Sequence, residues 1–405
     1  MSDAAAPPQV DPKPETSFVA LLFTRKFFCL MGAAFLAYAN ISVFFGFYDH
    51  LRSLPIDPTD FGFLIGALAA VALLVRPVIS PFFHAGNARL FLFSGTLLAV
   101  VSLAAYSLAT GFWSLLAVRM LHGLSFAVVG TALMTLIVEV IPAQRSAQFF
   151  GYLAVVTLIP NTIVPPVLPF LDAHLGGFNR ILLMFAALTL LMFPLVWAVG
   201  GNGSERAEKK KAGAGLTGSE ILENLKDLHV IRLLFSMLML YCAHALIFFF
   251  LDGYGRSIGV AYAGVFLTLS TVGEIGIRVA AGGVFDRMDK TRLSAWSLAG
   301  LCLCYIALAH IPGKWVFFAL GLLFGIGWGI AMPVFNGLMF DVSKPRFRAF
   351  NINLGLQMFQ GGFFLGPLIG APILAAWGYA TIYHLCAGMS LLAAGIMLVK
   401  RSETK

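Results

Sequence analysis

Charged residues are scarce in this sequence of 405 residues. They account for 11% of the chain, whereas 59% of the residues are hydrophobic. A soluble fold with this composition would leave large apolar surfaces in contact with water. The composition therefore excludes a soluble globular protein and predicts a protein of the lipid bilayer.

Cysteines and catalytic motifs are also rare or missing. The five cysteines all lie inside apolar runs, which is typical of small packing residues rather than of disulfides or metal ligands. The sequence has no phosphate-binding loop of the form G-x-x-x-x-G-K-[ST], and it has no H-E-x-x-H or G-x-S-x-G motif of hydrolases. We therefore predict that the chain is not an enzyme and that it holds no metal ion and no cofactor.

Long apolar runs are what the chain does contain. Twelve of them approach the roughly 20 residues that a helix needs to cross the hydrocarbon core of a bilayer. They fall near residues 27–48, 61–83, 89–109, 112–139, 146–170, 180–200, 230–251, 260–283, 292–311, 315–340, 348–374 and 379–399. The sequence therefore predicts an all-α membrane protein with twelve transmembrane helices.

One long hydrophilic connection divides the twelve runs into six and six. It carries a stretch, residues 219–229, whose leucines and isoleucine recur at helical spacing, and this predicts an amphipathic helix on the membrane surface. The predicted organisation is a flexible cytoplasmic tail at 1–26, a six-helix bundle at 27–200, a cytoplasmic linker at 201–229, a second six-helix bundle at 230–399 and a cytoplasmic tail at 400–405.

The two halves repeat each other about 202 residues apart. Each copy follows an apolar run and has the form R-x-x-x-G-x-x-x-D, with substitutions in the first copy. The corresponding residues are Arg76, Ser80, His84 and Arg89 in the first half and Arg278, Gly282, Asp286 and Arg292 in the second. A parallel duplication of two apolar halves is typical of transporters, because it places a substrate path between two bundles that can rock. The two bundles are therefore predicted to be pseudo-symmetric.

The basic residues indicate the orientation of the chain. Lysines and arginines concentrate in the tails, the linker and alternate loops, whereas the opposite loops hold only Arg52, Arg180, Arg256 and Lys314. Since basic residues favour the cytoplasmic side, we predict a multi-pass protein of the cell inner membrane with both termini in the cytoplasm. The net charge of +8 then reflects topology and contact with membrane lipids. Nucleic-acid binding is not predicted, because the charge is spread over separate short segments.

Several motifs together resemble the major facilitator superfamily and, within it, the bacterial drug and sugar efflux branch. They are the two loop motifs, Arg119 with Gly123 in span 4, the series Gly362, Gly366, Pro367 and Gly370 in span 11, and the pair Arg76-Pro77. The resemblance covers almost the whole chain. It implies the major facilitator fold and a monomer that works by alternating access, with spans 1, 4, 7 and 10 around a central cavity. In span 5, where efflux members carry a glycine series, this chain has Asn161, Pro165, Pro166 and Pro169 instead.

The loop motif predicts a cytoplasmic gate made of Arg76, His84, Arg89, Asp286, Arg287 and Arg292. A carboxylate at the cytoplasmic end of one span can face the positive N-terminus of a span in the other half and clamp that side shut. Asp286 and Arg287 would do this in the second half. The first half has His84 at the equivalent position, which predicts a weaker or pH-sensitive latch. The alternative is an interfacial histidine in a decayed copy of the motif.

Ionisable residues inside the spans are the main site candidates, because each is costly in a bilayer unless it faces a polar cavity or a partner. Arg119 and His122 share a face of span 4, and Tyr241 and His244 share a face of span 7. These faces are predicted to meet across the central cavity, where Arg119 would contact an anionic group of the substrate or take part in proton coupling. The alternatives are that Arg119 caps carbonyls or pairs with a carboxylate, and that the histidines are packing residues.

Glu274 and Arg278 stand four residues apart on span 8, in the order that favours an ion pair within a helix. Coupling to a proton gradient requires a carboxylate that can lose its proton inside the membrane. We therefore predict proton coupling through Glu274, Arg278 and Arg119, with a static salt bridge as the alternative. Carboxylates at predicted span ends rank behind them as candidates: Asp49, Glu139, Asp252 and Asp341.

Polar and aromatic positions complete the predicted substrate cavity. Besides the residues of spans 4 and 7, these are Tyr38, Asn40, Asn161, Trp328, Asn336, Gln357 and Gln360. With 38 phenylalanines in the chain, an aromatic-walled cavity is expected, and such a cavity suits amphipathic organic molecules. The predicted function is a proton-coupled secondary transporter that exports a small amphipathic organic compound. The alternatives are an importer or exchanger of organic anions, and a membrane sensor or lipid-handling scaffold that transports nothing.

Overall fold

The computed structural model describes residues 24–83, 85–140, 146–199, 218–285, 288–310, 313–344 and 347–398. These residues form helices joined by short turns, with no strand among them. The long helices are α1 (Arg25–Ser42), α2 (Phe61–Ile79), α3 (Ala85–Ala105), α4 (Phe112–Val140), α5 (Ser146–Leu175), α6 (Phe178–Leu190), α7 (Leu228–Ser257), α8 (Val265–Phe285), α9 (Lys290–Ala309), α10 (Lys314–Val342) and α11 (Arg348–Leu398). Shorter pieces extend two of them: α1 continues through a 3-10 turn into Phe47–Arg52, and α6 continues as Met192–Ala198.

Ten helices within the described residues are long and apolar enough to cross a membrane. The last of them holds predicted spans 11 and 12, because α11 bends sharply at Gly378. The φ of this residue is 77°, in the left-handed region that favours glycine. Predicted span 8 is present as α8 but falls outside the ten. The prediction of an all-α membrane protein is confirmed.

The predicted amphipathic helix of the linker is shorter than expected. A helix covers Gly218–Asn224, and α7 begins at Leu228 after Asp227, whose Oδ1 accepts a hydrogen bond from His229 N at 2.9 Å. The Asn224 side chain is buried and donates to Asn351 Oδ1 at 2.7 Å. This end of the linker is therefore fixed to the start of α11 as well as to α7.

The helices of the first half (residues 24–199) contact those of the second half (residues 218–398) at one end of the bundle. Phe45 lies edge-on to Phe248 with ring centroids 5.9 Å apart, and Tyr48 lies edge-on to Phe250 at 4.9 Å. At this end α1, α5 and α7 terminate, and α2 and α8 begin. We call it the closed end.

Glycines allow the closest approaches at the closed end. Gly62 at the start of α2 lies against the carbonyl of Pro367 in α11, and Gly264 just before α8 lies against Pro165 and Pro166 in α5. A Cβ added at either glycine would overlap that backbone, and small residues of this kind let helix backbones approach in lipid. Gly264 lies about 202 residues after Gly62, and Pro367 lies about 202 residues after Pro165, so the two contacts are made by corresponding residues of the repeat. The repeat in the sequence is therefore also a repeat of contacts.

A hydrogen bond between the halves compensates one proline of α5. The helix contains Pro160, Pro165, Pro166 and Pro169. Pro166 has no N–H group, so it leaves the carbonyl of Thr162 without its helical donor. The hydroxyl of Thr268 in α8 donates to that carbonyl at 2.6 Å. The second half thus satisfies a backbone group that would otherwise be unpaired inside the membrane.

Candidate functional site

Arg119 lies in the N-terminal part of α4 and is almost fully buried, with 1% of its surface exposed. Its Nε donates to the carbonyl of Leu64 at 2.9 Å, and its Nη2 donates to the carbonyl of Ile65. Its Nη1 reaches the hydroxyl of Tyr106 at 3.5 Å. These donors point into the first half, so the guanidinium ties α4 to the backbone of α2 and to the turn after α3. This geometry fits the carbonyl-capping interpretation of Arg119.

An aromatic cluster surrounds this guanidinium. Its Cζ lies 4.9 Å from the ring centroid of Phe44 and 4.7 Å from that of Phe47, within the range of cation–π contacts. His122, also buried, lies 5.2 Å from Phe44, and its Nδ1 is 3.4 Å from the hydroxyl of Tyr106. Arg119 and His122 therefore share the same neighbours, as their spacing predicts.

A second aromatic cluster lies in the second half, around His244 of α7. The His244 ring stacks on Trp328 of α10 with centroids 4.2 Å apart, and Tyr241 lies edge-on to Trp328 at 5.8 Å and to Phe359 of α11 at 5.2 Å. Among the described residues, the Nδ1 atom of His244 is buried without a hydrogen-bond partner. An unpaired polar atom in this aromatic setting is a group that a ligand could satisfy. The Oε1 atom of Gln357, on α11, is likewise buried without a described partner.

The two clusters stay in separate halves. Among the described residues, the ring and hydrogen-bond contacts of Arg119 and His122 lie within the first half, and those of Tyr241 and His244 lie within the second. The structure thus brings together each pair on its own helix. No ring or hydrogen-bond contact in the described part of the chain joins the two pairs, and their meeting across a central cavity stays a prediction.

Glu274 and Arg278 form the ion pair that their spacing predicts. Arg278 Nη2 lies 2.7 Å from Glu274 Oε1, and the carboxylate side chain is 7% exposed. Arg278 Nε also donates to the carbonyl of Gly329 in α10 at 3.3 Å. Gly329 directly follows Trp328, which belongs to the aromatic cluster of the second half. The pair therefore sits between α8 and α10, beside the aromatic cluster of the second half.

The remaining predicted cavity residues occupy different environments. Tyr38 is 39% exposed, Asn336 is exposed, and Gln360 is buried. Asn40 is buried, and its Nδ2 donates to Thr189 Oγ1 of α6 at 3.4 Å, which places it inside the first half.

Asn161 joins two helices of the first half. The hydroxyl of Ser42 lies 2.5 Å from Asn161 Oδ1 and 2.9 Å from the carbonyl of Tyr38, and it shares its one proton between these two acceptors. Asn161 of α5 is therefore fixed to the end of α1, one turn before the prolines that meet the second half.

Two arginines of the predicted gate lie against neighbouring helices of the first half. The guanidinium of Arg76 lies 4.7 Å from the ring centroid of Phe126 and packs on Gly130, both in α4. Its Nε is buried and has no partner in the described part of the chain. Arg89 Nη2 donates to the carbonyl of Trp197 at 3.0 Å.

The second copy of the gate motif is only partly described. Arg292 Nε lies 3.7 Å from Asp289 Oδ2, and its side chain is 79% exposed. The predicted gate residues His84, Asp286 and Arg287 lie outside the described residues.

The closed end holds an ion-pair cluster that the sequence did not predict as a unit, although Asp49 and Asp252 are among the lower-ranked carboxylates. Arg256 Nη2 lies 2.8 Å from Asp252 Oδ2 and 3.3 Å from Asp49 Oδ2. Asp252 and Arg256 both belong to α7, so the contact with Asp49 is the one that joins the halves. We call Asp49, Asp252 and Arg256 the closed-end latch. The spacing of four between Asp252 and Arg256 is visible in the sequence, whereas no local pattern pairs Arg256 with Asp49.

Comparisons with known proteins complete the description. A sequence model of the Major Facilitator Superfamily matches residues 30–358. The chain is 22% identical over 373 residues to the quinolone resistance protein NorA of Staphylococcus aureus strain MRSA252, covering 87% of this chain and 90% of that protein. It is 22% identical over 382 residues to the staphylopine export protein of Staphylococcus aureus strain Mu50, covering 91% and 94%. The crystal structure of the nucleoside transporter NupG superposes with a TM-score of 0.75 at 16% identity, covering 93% of this chain and 98% of that one.

Proposed function

Because the chain belongs to the Major Facilitator Superfamily of transporters, we propose that it is a proton-coupled secondary transporter that exports a small amphipathic organic compound by alternating access. Its two halves are the two bundles that move. It lies in the inner membrane with both termini in the cytoplasm and works as a monomer.

The observation that carries the proposal is the position of the contacts between the halves. They gather at the closed end, through the glycine contacts, the aromatic pairs and the closed-end latch. The distribution of basic residues supports an extracytoplasmic location for this end. The structure then corresponds to the state in which the substrate path opens towards the cytoplasm, and rocking of the halves would produce the opposite state.

The aromatic cluster of the second half is the proposed substrate site. His244 keeps one buried polar atom unpaired within the described residues, beside the ring of Trp328, and Tyr241 lies edge-on to the same ring. An apolar wall with an unpaired polar atom suits a compound that has both an apolar body and a hydrogen-bonding group. The names of two relatives, a quinolone resistance protein and an export protein, support outward transport of an organic compound.

Glu274 is the proposed proton carrier. It is buried in a membrane helix, and its single described ionic partner, Arg278, is 31% exposed. A proton that neutralises Glu274 would release Arg278 from the pair. Since Arg278 also donates to the carbonyl of Gly329, next to Trp328, the change would reach the proposed substrate site. Protonation and substrate binding would then bias the same region of the second half.

The test is directional flux in proteoliposomes with an imposed pH gradient. The probes are norfloxacin and ethidium, measured with the wild type, Glu274→Gln and Asp341→Asn. The last is a matched control, because Asp341 is also an ion-paired carboxylate, 2.9 Å from Lys290 Nζ, but is 50% exposed at a helix end. We expect Glu274→Gln to abolish accumulation driven by the gradient and Asp341→Asn to retain it. Unchanged accumulation in Glu274→Gln would show that another group carries the proton.

A further inference from the structure

A pocket of about 380 Å³ opens at the closed end, apart from the proposed substrate site. Both halves contribute to its walls. The lining residues are Tyr48, Arg52, Ile56, Pro58, Phe61, Leu374, Ala375, Gly378 and Tyr379. Its volume lies in the range of small-molecule sites. Because the walls come from α2 and the end of α1 on one side and from α11 on the other, the pocket is complete only while the halves are in contact.

The chemistry of the walls indicates the type of ligand. Three aromatic rings line the pocket, those of Tyr48, Phe61 and Tyr379, and Arg52 is the only charged lining residue among those that the structure describes. The Arg52 side chain is 60% exposed and lies 3.9 Å from Asp49, whereas Arg256 approaches Asp49 to 3.3 Å. The guanidinium of Arg52 is therefore weakly engaged and can bind a further anion, for which its fork of donors is well suited.

Three carboxylates near the pocket are already engaged, whereas Asp60, directly before the lining residue Phe61, is exposed. The closed-end latch holds Asp49 and Asp252 on Arg256. Asp57, next to the lining residue Pro58, accepts hydrogen bonds from Thr59 N at 2.8 Å and from Thr59 Oγ1 at 2.6 Å. These bonds lower the pKa of Asp57 below its usual range and turn its carboxylate back onto its own loop.

We propose that this pocket binds a second ligand, a small amphipathic anion whose apolar body packs on the three rings and whose charged group binds Arg52. Such a ligand holds the two halves together at the closed end, because separating them removes one wall of its site. The binding itself is independent of the proposed function. A further consequence, that a bound ligand slows the rocking of the halves and therefore transport, rests on the proposed function.

The anion can come from two sources with the same chemistry: a free aromatic acid, or the headgroup of an anionic lipid in the outer leaflet. The first experiment uses the full chain purified in a neutral detergent and measures the shift in Tm with naphthalene-2-carboxylate. Naphthalene-2-carboxamide, the neutral counterpart, controls for the charge. We expect the carboxylate to raise the Tm by mass action and the amide to bind at least about tenfold more weakly.

Two neighbouring alanines give a matched pair of variants. Ala375 and Ala376 are both exposed, but only Ala375 lines the pocket. We expect Ala375→Trp to fill the pocket and remove the shift, and Ala376→Trp to keep it. Arg52→Gln should lower the affinity at least about tenfold without changing the Tm of the ligand-free protein. No shift at concentrations up to about 10 mM, or equal shifts in the two tryptophan variants, would overturn the proposal.

A second arm separates the two sources. The carboxylate titration is repeated in nanodiscs of phosphatidylglycerol and in nanodiscs of phosphatidylcholine. If phosphatidylglycerol lowers the affinity of the wild type for the carboxylate but has no such effect in Arg52→Gln, the natural ligand is a lipid headgroup. If the carboxylate binds with equal affinity in both lipids, the natural ligand is a free acid. Because these measurements involve no flux, a negative result overturns the pocket alone, and normal binding in a protein that does not transport overturns the proposed function alone.

Discussion

Replacing Arg256 with glutamine should weaken the closed end and increase the population in which the halves separate there. The contact that joins the halves is Arg256 Nη2 to Asp49 Oδ2 at 3.3 Å. At this distance two unit charges attract by about 5 kcal/mol at an effective dielectric constant of about 20. The Arg256 side chain is 58% exposed, however, so solvent screens most of that energy. Measured values for exposed pairs are about 0.2–1 kcal/mol. Because Asp49 is only 12% exposed, we take the upper end of that range, about 1 kcal/mol. This energy corresponds to about a fivefold change in the ratio of molecules that are open at this end to molecules that are closed there.

The populations can be measured by double electron–electron resonance between spin labels on Ser53→Cys and Ala376→Cys. Both positions are exposed at the closed end, and they belong to different halves. The native cysteines are buried, so the labels attach to the introduced ones. In Arg256→Gln we expect about five times more of the long-distance population relative to the short one.

A double-mutant cycle with Asp49→Asn isolates the contact. If Arg256 acts on the closed end through Asp49, Arg256→Gln should have little further effect in the Asp49→Asn background. Arg180→Gln is the control, because Arg180 is an exposed arginine of the first half whose Nη1 donates to the nearby carbonyl of Leu175 at 2.9 Å. An effect of Arg256→Gln that persists undiminished in Asp49→Asn would refute this account of the closed-end latch.

Two further predictions concern packing. Gly325→Ala should lower the Tm, because a Cβ on α10 at this position would overlap the carbonyl of Ser270 in α8, and overpacking costs about 1–3 kcal/mol. Gly300→Ala in α9, where a Cβ meets nothing within 4 Å, should instead leave the Tm unchanged or raise it slightly; equal losses in both variants would contradict the overlap. Arg119→Lys should lower the Tm of the ligand-free protein, because an ammonium lacks the planar fork whose Nε and Nη2 reach the two carbonyls of α2, each charged hydrogen bond contributing about 1.5–3 kcal/mol. A normal Tm with lost substrate binding would assign Arg119 to the substrate instead.

Local sequence patterns predict the helices well. The apolar run at 112–139 corresponds to α4 (Phe112–Val140), since nothing but length and hydropathy is needed to recognise it. The run at 230–251 stops earlier than α7, which continues to Ser257. The reason is the pair Asp252 and Arg256, whose charges end the apolar run but neutralise each other one turn apart on the helix. The contact between Glu274 and Arg278 is predicted by the same spacing rule.

Contacts between distant segments could not be predicted from the sequence. The stacking of His244 on Trp328 and the hydrogen bond between Asn40 and Thr189 depend on how the helices pack against each other. The periodicity of apolar residues in one sequence carries no information about that packing. The prolines of α5 illustrate the same limit. The sequence shows that Pro166 frees a carbonyl, but only the packing of α5 against α8 shows which hydroxyl satisfies it.

The glycine contacts at the closed end have a consequence for the kinetics of opening. Gly62 and Gly264 present bare backbone to the facing chain, so at these two contacts no side chain has to withdraw when the surfaces part. Flat surfaces of this kind can separate and meet again without waiting for rotamers to rearrange. If the halves rock as proposed, each cycle parts both of these contacts, and the repeat of about 202 residues supplies the two together.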